Sequence, residues 1–277
     1  MLHSLAKRVY HSHLYSLLED IGVSDSFADV YWRIQFAFSE DVVTRTVNDI
    51  SASFYTKTRS EFTRFRDPTL NGEIKVLEEI LESLNTDDVF YDIGANVGLH
   101  ACFASKIINS GSVVAIEPHS KSAQRLNENI GLNNESVIIR EVGFSSENTS
   151  AKLVIPTDQA GSVGDVRPES GNHREKHPEI QLVRGDDKII DDNLPVPDVL
   201  KIDVDGGEYD VLAGLRRTIE SGGCQTIFCE IHPGALKDYN TTESDVLSLL
   251  QDWKYSITKM EISHNSRIDE YYIRADK

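Results

Sequence analysis

Short apolar runs alternate with helical stretches from about residue 73 to the end of the chain, and this alternation limits the fold more than any other feature. A helix is expected over Glu73–Leu84, where Ile74, Leu77, Ile80, Leu81 and Leu84 share one face. Strands are expected at Val89–Ile93, Val113–Ile116, Val137–Val142, Val199–Val204 and Thr226–Ile231. Helices fall between or after them, at Ala101–Ile108, Ser122–Ile130, Gly207–Ile219 and Glu243–Trp253. Tyr255–Met260 and Tyr271–Arg274 can form a closing pair. Strands this apolar are buried on both faces, as in a parallel sheet covered by helices. Right-handed crossovers then make it a doubly wound sheet.

Two segments depart from the pattern. Residues 1–70 carry helical stripes, first Leu2, Leu5, Val9, Leu14, Leu17 and Leu18, then Val30, Ile34 and Phe38. They read as an N-terminal helical extension to a main domain over 71–277. Packing on that domain is favoured over membrane docking, because basic residues are few. The same helices are a candidate homodimer interface. Residues 145–188 hold no strong helix, and 165–180 are nearly all polar. Between the third and fourth strands, such a stretch reads as a lid over the site, with plain disorder as its competitor.

Composition excludes some functions. The net charge of −17 argues against a nucleic-acid partner, which needs clustered Lys and Arg. It also suits solubility in concentrated salt. No stretch approaches the roughly 20 apolar residues of a membrane span. The N-terminus lacks the apolar core and small-residue cleavage site of a signal peptide, so a cytoplasmic protein is expected. Cys102, Cys224 and Cys229 match no zinc spacing and read as small buried thiols. The sequons at Asn134, Asn148 and Asn240 read as chance matches.

The loop after the first apolar strand reads DIGANVG, from Asp92 to Gly98. Ligands of open α/β sheets bind at the carboxyl ends of strands, near the point where strand order reverses. Gly94 permits close approach of a ligand, Gly98 lets the next helix start against the strand, and Asn96 can hydrogen-bond loop or ligand, so all three join Asp92 as candidate cofactor-binding residues. The pattern is not the dinucleotide fingerprint, whose glycines cradle a pyrophosphate. Asp92 before the glycines would repel a diphosphate and suits an ammonium and a sulfonium, the two charges of S-adenosylmethionine. Glu117 follows the next strand, where an acid accepts bonds from ribose hydroxyls. The adenine is expected near Glu141, Val142 and Gly143.

The stretches VFYDIGANVGLHACFAS, VVAIEPH, VLKIDVDGGEYDVLAGL and IFCEIHP, in this order over about 87–235, resemble the successive motifs of the FkbM-type methyltransferases. The resemblance implies a Rossmann-like class I methyltransferase fold, with a mostly parallel sheet and a closing antiparallel strand. It also implies S-adenosylmethionine-dependent O-methyl transfer, often to hydroxyls of sugars or polyketide-type products. Asp205 stands where the family commonly has Glu, one methylene longer.

Methyl transfer needs the acceptor aligned and, for a hydroxyl, its proton removed. Asp203 ends the fourth strand, and Glu230 and His232 end the fifth, so these three are the candidate catalytic residues. His232 is favoured as base by its intrinsic pKa, with Asp203 as orienter or base. Glu208 is open between chemistry and a favourable place in the first helical turn. Lys201 reads as a structural lysine paired with an acid, and His100 is open between the donor pocket and packing. A divalent metal on Asp203, Asp205, Glu208 and Glu230 is an alternative that no spacing fixes, and no metal is predicted. The acceptor is expected to be a small molecule, a glycan or a lipid. Two other readings stand beside a methyltransferase: a nicotinamide-dependent oxidoreductase on a Rossmann-like sheet, and a non-catalytic cofactor-binding partner protein.

Overall fold

A computed structural model describes residues 39–155, 157–163, 165–168, 177–260 and 270–277. The helical stripes expected within 1–38, and the homodimer contact placed on them, lie outside these residues. So does much of the polar 165–180 segment.

The described chain opens with a hairpin, β1 (Val42–Val47) and β2 (Ile50–Tyr55), then helix α1 (Arg59–Arg66) and helix α2 (Ile74–Ser83). A wholly helical extension was expected here, and residues 42–55 correct it. Asn48 and Asp49 take left-handed backbone angles, φ 49° and 63°, and the flanking residues alternate, as a two-residue hairpin turn requires. The hairpin is part of the main core. Phe54 is fully buried and stacks on Phe65 of α1 at 4.3 Å.

The central sheet has seven strands: β3 (Val89–Ile93), β4 (Ser112–Ile116), β5 (Ile138–Arg140), β10 (Val199–Ile202), β11 (Thr226–Ile231), β12 (Ser256–Lys259) and β13 (Tyr271–Asp276). Its order is β12-β13-β11-β10-β3-β4-β5. The five strands from β11 to β5 are parallel, and β13 joins β11 antiparallel, with β12 antiparallel beyond it. This is the doubly wound, mostly parallel sheet with an antiparallel close that the sequence implies. The chain runs outward from β3 through β4 to β5, then returns to lay β10 on the other side of β3. The switch point therefore lies between the ends of β3 and β10.

Helices α2, α3 (Leu99–Ala104) and α4 (Ser120–Leu132) cover one face with the hairpin. On the other face lie α5 (Gly185–Asp191), α6 (Glu208–Gly214), α7 (Arg216–Glu220) and α9 (Glu243–Asp252). A short helix α8 (Pro233–Leu236) follows β11. The single helix expected over Gly207–Ile219 is two helices. A Cβ at Gly214 would stand 1.9 Å from the Ser145 carbonyl, so the first helix ends tight against that strand.

The insertion between β5 and β10 holds strands the sequence reading passed over. β6 (Gly143–Ser145), β7 (Thr149–Val154), β8 (Asp165–Pro168) and β9 (Glu179–Arg184) form a side sheet in the order β6-β9-β7-β8. Its small core is Ala151, Leu153, Ile155 and Ile180. Asn129 of α4 and Asn133 at its C-terminal cap fasten the hairpin's edge. The Tyr55 amide donates to Asn129 Oδ1 at 3.0 Å, and the Ser53 amide to Asn133 Oδ1 at 2.8 Å. An edge strand covered in this way has no open ladder for a second chain. No helix among the described residues is long and apolar enough to cross a membrane.

If the hairpin belongs to this core, Phe54→Ala should cost about 3–5 kcal/mol in denaturant unfolding, as for other buried Phe truncations. A loss below about 1 kcal/mol would show that the hairpin folds apart from it.

Candidate active site

The ends of β3 and β10 approach so closely at the switch point that side chains are excluded. Gly94 has φ +78°, and a Cβ on it would lie 1.9 Å from the Asp203 carbonyl oxygen. Beside this contact opens a cavity of about 410 Å³, bordered by Gly94, Asn96, Glu117, Asp203, Glu230 and His232. Six of the residues predicted from sequence thus meet at one place.

Asn96 sits in the left-handed region at φ 49°, and its backbone amide donates to Glu117 Oε2 at 2.7 Å. Its side-chain Oδ1 is buried without a partner. Glu117 is also held by the His119 amide at 2.8 Å on Oε1. Each carboxylate oxygen keeps a free lone pair for a hydroxyl. Burial pushes this carboxyl up to about 7, against the pull of the two amides and of Lys201.

Gly143 lies next door. With Ile116, Pro118 and Phe144 it lines a small apolar pocket of about 60 Å³ that shares Gly94, Pro118, Val166 and Val204 with the main cavity. Val142, expected beside it, is half-buried and packs against the same core cluster as Ile116 and Phe144. The strand expected over Val137–Val142 breaks before it, into β5 and β6.

Two predicted cofactor residues stand behind the cavity wall. Asp92 is fully buried, accepts from the Ala101 amide of α3 at 3.1 Å, and pairs with Lys201 Nζ at 3.2 Å. It was expected to face the ligand's cation, but that cation's place is taken by Lys201. Gly98 starts α3 at φ +88°, where a Cβ would strike Leu126 at 2.3 Å. Its role is the packing of α3 on α4.

Lys201 is the paired lysine the sequence suggested, with two acids instead of one. Its Nζ lies 3.2 Å from both Asp92 Oδ1 and Asp203 Oδ2 and donates to the Gly94 carbonyl at 3.1 Å. Burial works against its charge, yet the Asp203 and Asp92 carboxylates raise its pKa. Burial would also raise Asp203, but Lys201 and His232 hold its carboxyl well below the usual range.

At the end of β11, His232 Nδ1 is 2.5 Å from Glu208 Oε1, and Nε2 faces Asp205 at 3.6 Å and Glu230 at 3.9 Å. Glu208, left open between two roles, is fully buried as the partner of His232. Burial alone would lower His232, but the Glu208 hydrogen bond, with Glu230 and Asp203, raises it to about 10. Burial and the adjoining Asp203 push Glu230 up to about 9. One ligand atom each from Asp203, Glu230 and His232 lies within 4.8 Å of the others, a spacing that fits a small divalent cation. His100 does not line the cavity: it is 2% exposed, its Nδ1 lies 4.0 Å from Glu73, and burial lowers its pKa.

The sequence reading missed three parts of the wall. His119 bridges Ser122 Oγ at 2.9 Å and Asp158 Oδ1 at 3.0 Å, which ties the insertion to α4. Val163 and Val166 bring the insertion to the cavity edge, on the side where a lid was expected. Arg64 of α1 lines the cavity from the far side. Only a tertiary contact places Arg64 here, so no local signal marks it.

A buried ion triad of this kind is strongly destabilised when one partner is removed. Lys201→Met leaves Asp92 and Asp203 unpaired and should cost about 3–5 kcal/mol in denaturant unfolding. A change under about 1 kcal/mol would mean that the two acids do not depend on Lys201.

Comparison with known proteins agrees with this geometry. The sequence model described as "Methyltransferase FkbM domain" matches residues 92–257. The hexuronic acid methyltransferase AglP of Haloferax volcanii is 31% identical over 227 residues, 82% of this chain and 86% of that protein. Methyltransferase 1 of Beauveria bassiana is 28% identical over 150 residues, 47% of this chain and 59% of its own. The crystal structure of Methyltransferase FkbM from Methylobacillus flagellatus KT aligns at a TM-score of 0.48 and 18% identity, over 72% of this chain and 46% of that one. The oxidoreductase and non-catalytic readings give way to these matches. The chain belongs to the FkbM methyltransferase family, with the Rossmann-like class I fold that its strand order displays.

Proposed function

We propose that the cavity binds S-adenosylmethionine along Gly94, Asn96, Glu117 and Gly143 and directs its methyl group to an oxygen of a glycan-type acceptor beside Asp203, Glu230 and His232. One observation carries the reading: a nucleoside-type subsite and an acid–imidazole cluster share a single cavity. The lining also bears acidic residues at Glu73, Glu117, Asp203, Asp205 and Glu270, beside Glu230, whose carboxyl is pushed up to about 9 and stays protonated at neutral pH. A wall of that sign favours a sulfonium and an ammonium over a diphosphate. Relatedness to a hexuronic acid methyltransferase supports a sugar acceptor.

S-adenosylmethionine supplies the methyl group on a positive sulfonium, which becomes a neutral thioether on transfer. Glu117 accepts the ribose hydroxyls, Asn96 Oδ1 takes a ligand donor, and the apolar pocket at Gly143 receives the adenine. Asp203, kept ionised by Lys201, orients the acceptor hydroxyl. His232 Nε2 takes its proton, while Glu208 fixes the ring through Nδ1. His232, pushed up to about 10, holds that position protonated at neutral pH. A cation in the cavity disfavours this proton, so donor binding readies the base.

A metal-assisted route is the second reading, favoured by the 4.8 Å cluster of Asp203, Glu230 and His232. The cation would sit on these three side chains and lower the acceptor's pKa.

The test is transfer of labelled methyl from S-adenosylmethionine to a hexuronic acid glycoside across pH. With His232 as base, kcat/KM rises as pH climbs toward about 10, because the free protein must lose the His232 proton. His232→Gln should lose that limb and about 10²–10⁴ of the rate. A flat profile between about pH 7 and 10 would reject His232 as base. A chelator should leave the wild-type rate unchanged, and loss restored by magnesium would select the metal route.

A further inference from the structure

One arginine stands in the otherwise acidic cavity wall. The whole chain carries −17, yet residues 42–66 hold five basic residues (Arg45, Lys57, Arg59, Arg64 and Arg66) against two acidic ones (Asp49 and Glu61). Two of these charges meet no acid in their hydrogen bonds: Arg45 donates to the Pro68 carbonyl and Arg66 to the Glu40 carbonyl, both at 2.9 Å. Arg64 is the one that lines the cavity, together with Ser60 and Thr63 of the same helix.

The Arg64 guanidinium is held in place by Glu73. Nη2 donates to both Glu73 oxygens, at 2.6 and 2.7 Å, and the side chain is only 13% exposed. Its buried Nε has no hydrogen-bond partner among the described residues. A buried donor left open costs free energy that a bound acceptor would recover. With Nη2 turned to Glu73, Nε–H is an open donor, and a charge-assisted bond from it suits a carboxylate better than a neutral hydroxyl. The helix beneath is firmly fixed: Thr58 and Glu61 form a capping box, and Glu61 is also ion-paired to Arg125 of α4. Arg64 lies outside the residues 92–257 that match the family model.

We infer that Arg64 is the specificity-determining residue of the acceptor subsite, where it binds the carboxylate of an acidic sugar. The inference rests on the sugar-acceptor reading above and adds the acceptor's charge and the residue that reads it. Glu73 is a positioning residue toward the sugar, because it acts there by holding the guanidinium. Ser60 and Thr63 offer hydroxyls to the sugar beside it.

The experiment compares p-nitrophenyl glucuronide with p-nitrophenyl glucoside as methyl acceptors, together with calorimetry of S-adenosylhomocysteine. Wild type should favour the glucuronide by about tenfold or more in kcat/KM, the value of one charge-assisted bond. Arg64→Gln should erase that preference through KM, with S-adenosylhomocysteine affinity within about twofold of wild type. Arg64→Lys should restore part of it, keeping the charge but not the guanidinium. A purely structural Arg64 would weaken both sugars alike, and that result overturns the inference. Equal use of the two sugars by wild type also overturns it and leaves the sugar reading standing. Transfer to neither sugar rejects the acceptor reading, and Arg64's role falls with it.

Discussion

The site depends on one buried lysine. Lys201, 1% exposed, joins the end of β3 to the end of β10 by contacting Asp92, Asp203 and the Gly94 carbonyl. Asp92 in turn anchors α3 through the Ala101 amide, so the glycine loop and the chemical cluster are set by a single charge. The arrangement is net acidic, and the excess falls on Asp203, which faces the cavity. A lysine carrying two acids leaves one negative charge in low dielectric, next to the place where a cationic donor would lie. Structure and chemistry are therefore hard to separate at this position.

The strands were legible because burial on both faces leaves an unbroken apolar run. β3 and β11 fall on the residues expected, and β4 and β10 differ by one or two residues at an end. The hairpin at 42–55 was missed although its alternation and its Asn48-Asp49 turn were in plain view, because helical stripes nearby set the expectation for the whole segment. The side sheet was missed for a different reason. β7 and β9 are half-exposed, β6 is only three residues long, and β6 pairs with β9 across almost forty residues of sequence, so no local window contains the signal.

At the site, the sequence located functions better than it located surfaces. Residues at strand ends, such as Asp203, Glu230 and His232, point into one cavity because topology brings those ends together. Asp92 and Gly98 were read as ligand contacts from the same loop, but burial and close packing turn both inward. Glu208 shows the opposite outcome. Its place in a first helical turn offered a bland reading, and the fold instead sets it 2.5 Å from His232. Arg64 had no signal at all, since its meaning comes from a helix docked across from the sheet.

The central claim is that Asn96 and Glu117 form the nucleoside end of an S-adenosylmethionine pocket. Calorimetry with S-adenosylhomocysteine and NAD, on wild type and on Glu117→Gln, tests it most directly. The account predicts one S-adenosylhomocysteine site per chain, no NAD binding, and affinity about tenfold or more weaker in the variant, as expected for losing charge-assisted bonds to ribose. NAD binding without S-adenosylhomocysteine binding, or a Glu117→Gln variant of unchanged affinity, would contradict it.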